Sequence, residues 1–319
     1  MQLDPNNFTG VTYHEISENF VGQRLDNFLQ RLLKGVPKSR IYKLIRKGEI
    51  RVNKKRAKPD LRLEKADVVR IAPIRVSEKK EMVISVSRAE SLRSQIIYED
   101  AGLIVLNKPS GLAVHGGSGI SSGVIEVMRT CYDPNQYLEL VHRLDRDTSG
   151  LLLLAKKRIV LKSLHEQLRE GTMKKQYWAL VAGRWHGKHV VVDAPLKKNA
   201  AMSGERIVQV SSEGKESKTH FTVLQRYSNN TLLQASPLTG RTHQIRVHAQ
   251  YEGHPIIGDD KYGDKDMNKK GKEAGIKRLF LHAKTLEFEL PEIGHQRFEA
   301  LLDPDLADGL GRLENLNLK

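Results

Sequence analysis

The segment 142–150 carries the densest set of reactive side chains in this sequence. It reads His-Arg-Leu-Asp-Arg-Asp-Thr-Ser-Gly, which brings together an imidazole, two guanidiniums, two carboxylates and two hydroxyls. Apolar runs at 138–141 and 151–155 flank the segment, and such runs are typical of buried strands. We therefore expect a polar loop held by a sheet, a position where binding and active-site residues concentrate.

Asp145 is the candidate reacting group of this segment because it lies between Arg143 and Arg146. Nearby positive charge favours the carboxylate, so we expect Asp145 to stay ionised, as a nucleophile or a base requires. A structural loop with surface ion pairs has a similar composition. The segment alone therefore predicts chemistry without establishing it.

Three further polar clusters lie downstream of residue 100. The Gly-rich stretch 107–117 follows an apolar run but lacks the spacing of a phosphate-binding loop or a dinucleotide fingerprint. The stretch 174–177 opens a strand and places the ring of Tyr177 on the sheet surface. The stretch 239–248 follows a strand and begins a helix, in which we expect Ile245 and Val247 to be packed.

Two other kinds of active site fit the sequence poorly. The twelve histidines raise the question of a metal, but His243 and His248 are five residues apart and do not share a helix face. His115 and His142 have no cysteine or carboxylate at ligand spacing. A two-carboxylate glycosidase needs a second acid facing the first, and we expect Asp147 to point elsewhere on its loop.

Charge is concentrated near the start of the chain. The formal net charge is +15, and residues 22–80 hold 19 Lys and Arg against 6 Asp and Glu. From Lys34 to Lys58 there are eleven basic residues and a single acid, Glu49. A solubilising surface usually mixes the two signs. This distribution instead predicts binding to a polyanion, with nucleic acid as the favoured partner.

The basic region also has the pattern of a small folded module. Apolar residues at helical spacing predict a helix from Leu25 that ends before Gly35, and a second helix capped by Ser39 and ended by Gly48. Short strands are expected at 50–52, 61–63 and 68–71. Seven cations should form one RNA-binding surface on the second helix and the adjoining turn: Arg40, Lys43, Arg46, Lys47, Lys54, Lys55 and Arg56.

The rest of the chain predicts a second, larger domain. Residues 83–94 are polar and poorly periodic and are interpreted as a linker between a domain at 20–82 and one at 95–319. Strands outnumber helices after residue 95 without a regular βαβ alternation, which predicts an α+β domain with a mostly antiparallel sheet. The tail after Leu301 is expected to be loosely attached. No membrane span is expected, and the single cysteine, Cys131, fits the reducing cytoplasm.

Two resemblances to known families follow from these motifs. The run RLDNFLQRLLKGVPKSRIYKLIRKGEIRVNKKRAKP resembles the αα-β RNA-binding module named after ribosomal protein S-four. The runs HRLDRDTSGLLLLAK, KKQYWAL, TGRTHQIRVHAQYEGHPIIGD and RLFLHA, in this order, resemble the RluA-type pseudouridine synthases over residues 95–300. With the N-terminal module, the chain is most similar to the RluC-like branch, which acts on 23S ribosomal RNA.

The resemblance implies a role for several residues. Asp145 matches the nucleophilic aspartate, and Arg246 matches the arginine that pairs with it. Arg143 matches the arginine that enters the RNA helix where the target nucleotide is flipped out. Tyr177 matches the tyrosine that packs on the uracil and is a candidate for proton transfer. Arg146 could contact a phosphate or support the loop.

The implied reaction breaks the glycosidic bond of uridine, rotates the uracil and rejoins it through carbon, with no metal or other cofactor. Whether Asp145 attacks the base or the sugar stays open, since a carboxylate can do either. Two other classes also stay open: a non-enzymic RNA-binding or ribosome-assembly factor, and a glycosidase that releases free uracil. The expected partner is large-subunit ribosomal RNA, free or in an assembling particle, and we expect a cytoplasmic monomer.

Overall fold

The computed structural model describes residues 10–33, 35–74, 84–116, 122–133, 136–200, 206–290 and 292–317. The chain divides into two compact units, Met1–Val83 and Ile84–Lys319. Within the described ranges, no helix is both long and apolar enough to cross a membrane.

The described part of the first unit contains two α-helices, a short 3₁₀ helix (Glu18–Phe20) and a four-stranded antiparallel sheet. Its elements are β1 (Thr12–Glu15), α1 (Leu25–Leu32), α2 (Lys38–Lys47), β2 (Ile50–Val52), β3 (Lys55–Arg56) and β4 (Val68–Ile71), with the strand order β1-β4-β2-β3. One apolar stripe from each helix, including Leu29 and Ile41, is fully buried. Burial of such stripes stabilises short helices that would be marginal alone.

Two local predictions for this unit are wrong. Ser39 lies inside α2 and does not cap it, because the helix begins directly after Pro37, whose ψ of 142° marks the boundary. Residues 61–63 form no strand and contribute only an isolated bridge between Arg62 and Arg24. The turn at residues 53–54 instead leads straight into β3, as expected for a two-residue hairpin with both φ angles positive. The predicted end of α2 at Gly48, with φ +74°, is confirmed.

The second unit contains six helices and twelve strands in its described part. The helices are α3 (Val86–Arg93), α4 (Val124–Arg129), α5 (Arg158–Glu170), α6 (Gln244–Tyr251), α7 (Lys265–Glu273) and α8 (Pro304–Asn317). The strands are β5 (Ile96–Glu99), β6 (Leu103–Lys108), β7 (Glu139–Leu140), β8 (Ser149–Ala155), β9 (Lys174–Ala182), β10 (His189–Asp193), β11 (Leu196–Ala200), β12 (Arg206–Val210), β13 (Lys218–Arg226), β14 (Asn230–Pro237), β15 (Leu281–Leu290) and β16 (Gly294–Glu299).

Ten of these strands form one sheet, with the order β10-β13-β14-β9-β15-β8-β6-β5. Strand β16 pairs with β15, and β7 pairs with β8. Every pairing is antiparallel except that of β8 with β15. The prediction of an α+β protein with a mostly antiparallel sheet is confirmed.

Three local predictions for this unit differ from the structure. The segment 138–141 pairs only at Glu139 and Leu140. Residues 86–93, placed in the predicted linker, form α3. The tail forms α8, whose Leu306 and Leu313 are buried in the core, so it is not loosely attached. Leu306, Leu310 and Leu313 are spaced so that they lie on one face of α8, and this apolar face packs against the core.

One row of residues across the sheet places the polar loop 142–148 beside Tyr177. Gly150 pairs with Ala283, Ala283 with Tyr177, and Tyr177 with Ala235. Gly150 has φ +104°, and a Cβ there would lie 2.3 Å from the Ala283 carbonyl oxygen. Because only glycine fits this close approach, Gly150 permits the parallel pairing that positions the loop.

Candidate active site

Asp145 lies on the loop between β7 and β8, and its side chain is 18% exposed. The Thr148 backbone N–H donates to the Asp145 carbonyl at 3.2 Å, which closes a tight turn around the carboxylate. The carboxylate borders a cleft of about 580 Å³ that also involves Tyr177, Arg246 and the loop 237–243. Residues from three parts of the sequence thus meet at one cavity.

A buried lysine at the end of β6 holds the loop of Asp145 through hydrogen bonds to backbone carbonyls. Lys108 is fully buried, and its Nζ donates to the carbonyls of Pro109, Leu112 and Arg146 at 2.9 to 3.0 Å. Burial lowers the pKa of Lys108 to about 7, although the nearby charges of Asp147 and Asp145 act in the opposite direction and raise it. The three carbonyls accept all three ammonium protons, so the lysine joins the Gly-rich loop to the loop of Asp145.

Arg246, on the first turn of α6, links two carboxylates. Its Nη1 donates to Asp145 Oδ2 at 3.3 Å, while Nε and Nη2 form a bidentate pair with Asp259 at 2.7 and 2.8 Å. Burial alone would raise the pKa of Asp259, but the guanidinium holds it below its ordinary value. Bidentate geometry fixes the plane of an arginine, so Asp259 sets how Arg246 faces Asp145.

A tyrosine and a histidine complete the surroundings of Asp145. Arg246 lies over the ring of Tyr262, 5.0 Å from its centroid, and Tyr262 Oη is 2.8 Å from His243 Nδ1. The other ring nitrogen, His243 Nε2, lies 3.7 Å from Asp145 Oδ2. Asp145 is therefore in contact with one arginine and one histidine, both positioned by residues behind them.

Tyr177 lies in β9, so its predicted place on a strand is confirmed, and its half-buried side chain lines the cleft. Burial raises the pKa of its hydroxyl, and the nearby charge of Asp145 raises it further. The hydroxyl is therefore protonated at neutral pH. A neutral aromatic ring beside a carboxylate offers a flat surface on which a planar base can stack.

The two arginines beside Asp145 differ in their surroundings. Arg143 is exposed, and within the described ranges it forms no ion pair with an acidic side chain. Arg146 is also exposed, but its Nε pairs with Asp147 Oδ1 at 3.0 Å. The carbonyl of Arg146 accepts from Lys108 and from the Gly111 N–H. Arg146 thus supports the loop through its backbone and presents its side chain to solvent.

The seven predicted cations of the first unit are all exposed. Four of them, Arg40, Lys43, Arg46 and Lys47, lie on α2, and the other three lie on the β2–β3 turn and β3. Lys47 approaches Glu49 at 3.8 Å. The surface offers closely spaced positive charges that could contact phosphates.

No group of three or more potential metal-ligating side chains is found among the residues that the structure describes. The geometry brings the Asp145 carboxylate, the fixed guanidinium of Arg246 and the ring of Tyr177 together at one cleft.

Comparison with known proteins shows the family of this chain. A model described as RNA pseudouridylate synthase matches residues 102–251, and an S4 domain model matches residues 23–69. The chain is 58% identical to the ribosomal large subunit pseudouridine synthase C of Pasteurella multocida over 93% of its own length and 92% of that protein.

This chain belongs to the RNA pseudouridylate synthase family. It is also 56% identical to the ribosomal large subunit pseudouridine synthase C of Escherichia coli K12, over 94% of this pseudouridine synthase and 96% of that relative. A solved structure, human RNA pseudouridylate synthase domain containing 4, has 27% identity and a TM-score of 0.58. It covers 71% of this synthase and 95% of the human chain.

Sequence reasoning gave no role to four residues that surround Asp145 or hold its loop: Lys108, His243, Asp259 and Tyr262. Asp259 could have been noticed, since an acid directly after buried Ile256 and Ile257 and a glycine needs a partner. Lys108 and His243 lie in the polar clusters at 107–117 and 239–248, but no local pattern indicates what they contact. Their roles depend on neighbours far away in sequence.

Proposed function

We propose that this protein isomerises specific uridines of large-subunit ribosomal RNA to pseudouridine, with Asp145 as the nucleophile. The observation that carries the proposal is the contact of Arg246 with Asp145 at 3.3 Å in a cleft that Tyr177 also lines. The names of the relatives, which cover nearly the whole chain, support the class of RNA.

The reaction requires the C1′–N1 bond of uridine to break and a C1′–C5 bond to form. N1 gains a proton and C5 loses one, so the product has the mass of the substrate. Asp145 attacks and later leaves, and the nearby Arg246 stabilises its carboxylate whenever it is free. Attack on the sugar and attack on the base are both compatible with this geometry.

The remaining groups hold the substrate. Tyr177 packs against the flipped uracil, and Arg143, which is exposed beside the cleft, fills the gap that the flipped nucleotide leaves in the RNA. Flipping costs a few kcal/mol, which a stacking guanidinium offsets. Arg146 contacts a phosphate through its exposed side chain.

The exposed cations of the first unit bind structured RNA through its phosphates. This assignment follows the S4 domain match and the charge of α2 and β3. The chain is expected to act as a monomer in the cytoplasm, on free ribosomal RNA or on an assembling subunit.

The deciding experiment compares Asp145→Asn with Asp147→Asn, a matched change two residues away whose carboxylate is paired with Arg146. Ribosomal RNA containing [5-³H]uridine reports the loss of the C5 proton, and nucleoside mass spectrometry separates pseudouridine from free uracil. We expect Asp145→Asn to form no product while binding RNA nearly as well as the unaltered protein. Asp147→Asn should keep most of the activity.

Three results would contradict the proposal. Turnover by Asp145→Asn near that of the unaltered protein would exclude Asp145 as the nucleophile. Release of free uracil would indicate a glycosidase. RNA binding without any modification by the unaltered protein would indicate an assembly factor.

A further inference from the structure

We propose that His243 is a positioning residue for Asp145: Tyr262 holds His243 as the Nε2–H tautomer, whose N–H faces Asp145 Oδ2. This inference rests on the proposed function, because it concerns the carboxylate that we assign as the nucleophile. It adds a second group, besides Arg246, that determines which carboxylate oxygen reacts.

A chain of hydrogen bonds specifies the tautomer. The backbone N–H of Val208 donates to Tyr262 Oη at 3.0 Å, so the hydroxyl proton is free to point the other way. His243 Nδ1 lies 2.8 Å from the same hydroxyl. Among the described residues it is the one other hydrogen-bond partner of Tyr262 Oη, so we assign it as the acceptor of the hydroxyl proton. A neutral imidazole that accepts at Nδ1 carries its hydrogen on Nε2.

The histidine is neutral at physiological pH. Burial lowers the pKa of His243, while the neighbouring carboxylates of Asp145 and Asp259 raise it and the cations Arg246 and Lys261 lower it. Its net shift is downward from the ordinary 6.5. His243 therefore presents one N–H to Asp145 and adds no charge.

The backbone of His243 adopts the left-handed conformation at the start of α6. His243 has φ +54° and ψ +21°, the left-handed region that non-glycine residues rarely adopt. The following residue, Gln244, enforces it: its Oε1 accepts from Thr239 Oγ1 and the Arg241 N–H, and its Nε2 donates to Lys218 O and Thr219 Oγ1. Such strain persists where the surrounding structure determines it, and it often marks a functional position.

Both contacts reach the same oxygen of Asp145. Arg246 Nη1 is 3.3 Å and His243 Nε2 is 3.7 Å from Oδ2. Within the part of the chain that the structure describes, no side chain donates to Oδ1. Oδ1 is thus the oxygen whose lone pairs are free to attack, and His243 helps to hold Oδ2 away from the reacting atom.

The tautomer can be observed directly. Nitrogen-15 spectra of the full-length protein labelled at histidine, with His243 assigned by its loss in His243→Gln, should show a protonated Nε2 and an unprotonated Nδ1 at pH 7.5. Tyr262→Phe removes the hydroxyl and should shift the population toward the Nδ1–H form. An Nδ1–H tautomer or an imidazolium in the unaltered protein would overturn the proposal.

Kinetics test the positioning role. We expect His243→Ala to lower kcat by roughly 10- to 100-fold with KM within about threefold, because a misplaced nucleophile slows the chemical step. His243→Gln, whose amide N–H can reach Asp145, should regain about tenfold of that loss. If His243→Ala is unstable, His243→Asn serves instead, since asparagine tolerates the left-handed region and is too short to reach.

The failure of this inference can be told from failure of the proposed function. Full kcat in His243→Ala, or a loss confined to KM, would overturn the positioning role while an inactive Asp145→Asn still supports Asp145 as the nucleophile. Turnover by Asp145→Asn would overturn both. Equal losses of kcat in His243→Gln and His243→Ala, at matched thermal stability, would show that the N–H is not what matters.

Discussion

The central residue contact of this protein, between Asp145 and Arg246, depends on a third residue. Arg246 donates two hydrogen bonds to Asp259 and only one, longer, to Asp145. Asp259 also accepts the backbone N–H groups of Lys261 and Tyr262 through Oδ1. Asp259 therefore holds the guanidinium, and the guanidinium in turn contacts Asp145.

Replacing Asp259 by asparagine tests this dependence. Asp259→Asn leaves the buried Arg246 without its bidentate partner, and breaking a buried ion pair costs about 3–5 kcal/mol of stability. Without this pair the guanidinium should change its orientation toward Asp145. Because a misplaced partner misplaces the carboxylate, we expect at least a tenfold lower kcat. Denaturant unfolding and single-turnover assays measure the two effects.

Asp260→Asn is the matched control for that change, because the neighbouring Asp260 is exposed. Its effect on the free energy of unfolding should stay within about 0.5 kcal/mol. Equal losses in the two variants would show that Asp259 has no special role in holding Arg246.

At the scale of elements, the parallel pairing of β8 with β15 decides where the loop 142–148 lies. That pairing spans only two register positions, at Ser149 and Gly150. Because the Gly150 Cα approaches the backbone of β15, the contact leaves no room for a side chain. The position of Asp145 relative to Tyr177 thus depends on one glycine.

Gly150→Ala should therefore destabilise the second unit by roughly 3 kcal/mol or more, since it adds a steric clash to an unfavourable φ. The control is Gly111→Ala, on the adjoining loop. Gly111 has φ +84° but nothing within 4 Å of a built Cβ, so its cost should be only about 1–2 kcal/mol. Thermal unfolding of both variants compares them, and similar losses would mean that the clash is relieved without cost.

The whole molecule combines a cationic N-terminal unit with a large unit whose core includes buried ionisable groups. Most of the excess positive charge lies in residues 22–80, whereas the carboxylate proposed to react lies in the second unit. The phosphate contacts proposed for the first unit can thus be perturbed without changing the residues around Asp145.

The salt dependence of RNA binding measures how much the cations of the first unit contribute. Replacing Lys54, Lys55 and Arg56 by glutamine should weaken RNA binding and lower the slope of log K against log salt by roughly 0.7–0.9 per charge. Lys65→Gln is the control in the same unit, because Lys65 is already paired with Glu18 at 2.7 Å. Its slope should change little, and an unchanged slope in the triple variant would exclude these cations from the RNA contact.

The pH dependence of stability tests the buried histidine His282 in the core of the second unit. Burial lowers the pKa of His282 from 6.5 to about 4. The folded state therefore binds fewer protons than the unfolded state between these values. The contribution of His282 to the free energy of unfolding is therefore fully present above pH 6.5. It decreases by about 3 kcal/mol as the pH falls from 6.5 to about 4.

His282→Asn retains an amide near Ser149 Oγ. In this variant the slope of the free energy of unfolding against pH should fall by the equivalent of one bound proton across this window. Both tryptophans, Trp178 and Trp185, lie in the second unit, so their fluorescence reports its unfolding. A pH dependence identical to that of the unaltered protein would show that His282 does not titrate in this range.

Much of this protein follows from its sequence. The α+β class and the end of α2 at Gly48 were predicted from periodicity and turn residues, and the family from four ordered motifs. These features are local, because hydrophobic spacing, turn residues and family motifs can be recognised within short stretches of sequence. The pairing of Arg246 with Asp145 was implied by resemblance, and the structure shows the two side chains in contact.

Only the tertiary structure decided how the site is organised. Lys108 reaches Arg146 across 38 residues, and Arg246 reaches Asp145 across 101. Contacts between distant segments depend on sheet order and on which atoms meet, and no local pattern encodes either. For the same reason α8 was mistaken for a loose tail: its polar surface is evident in the sequence, but the core that covers its leucines is formed by other elements. The sequence thus determined which groups can react, and folding determined which atoms of those groups face one another.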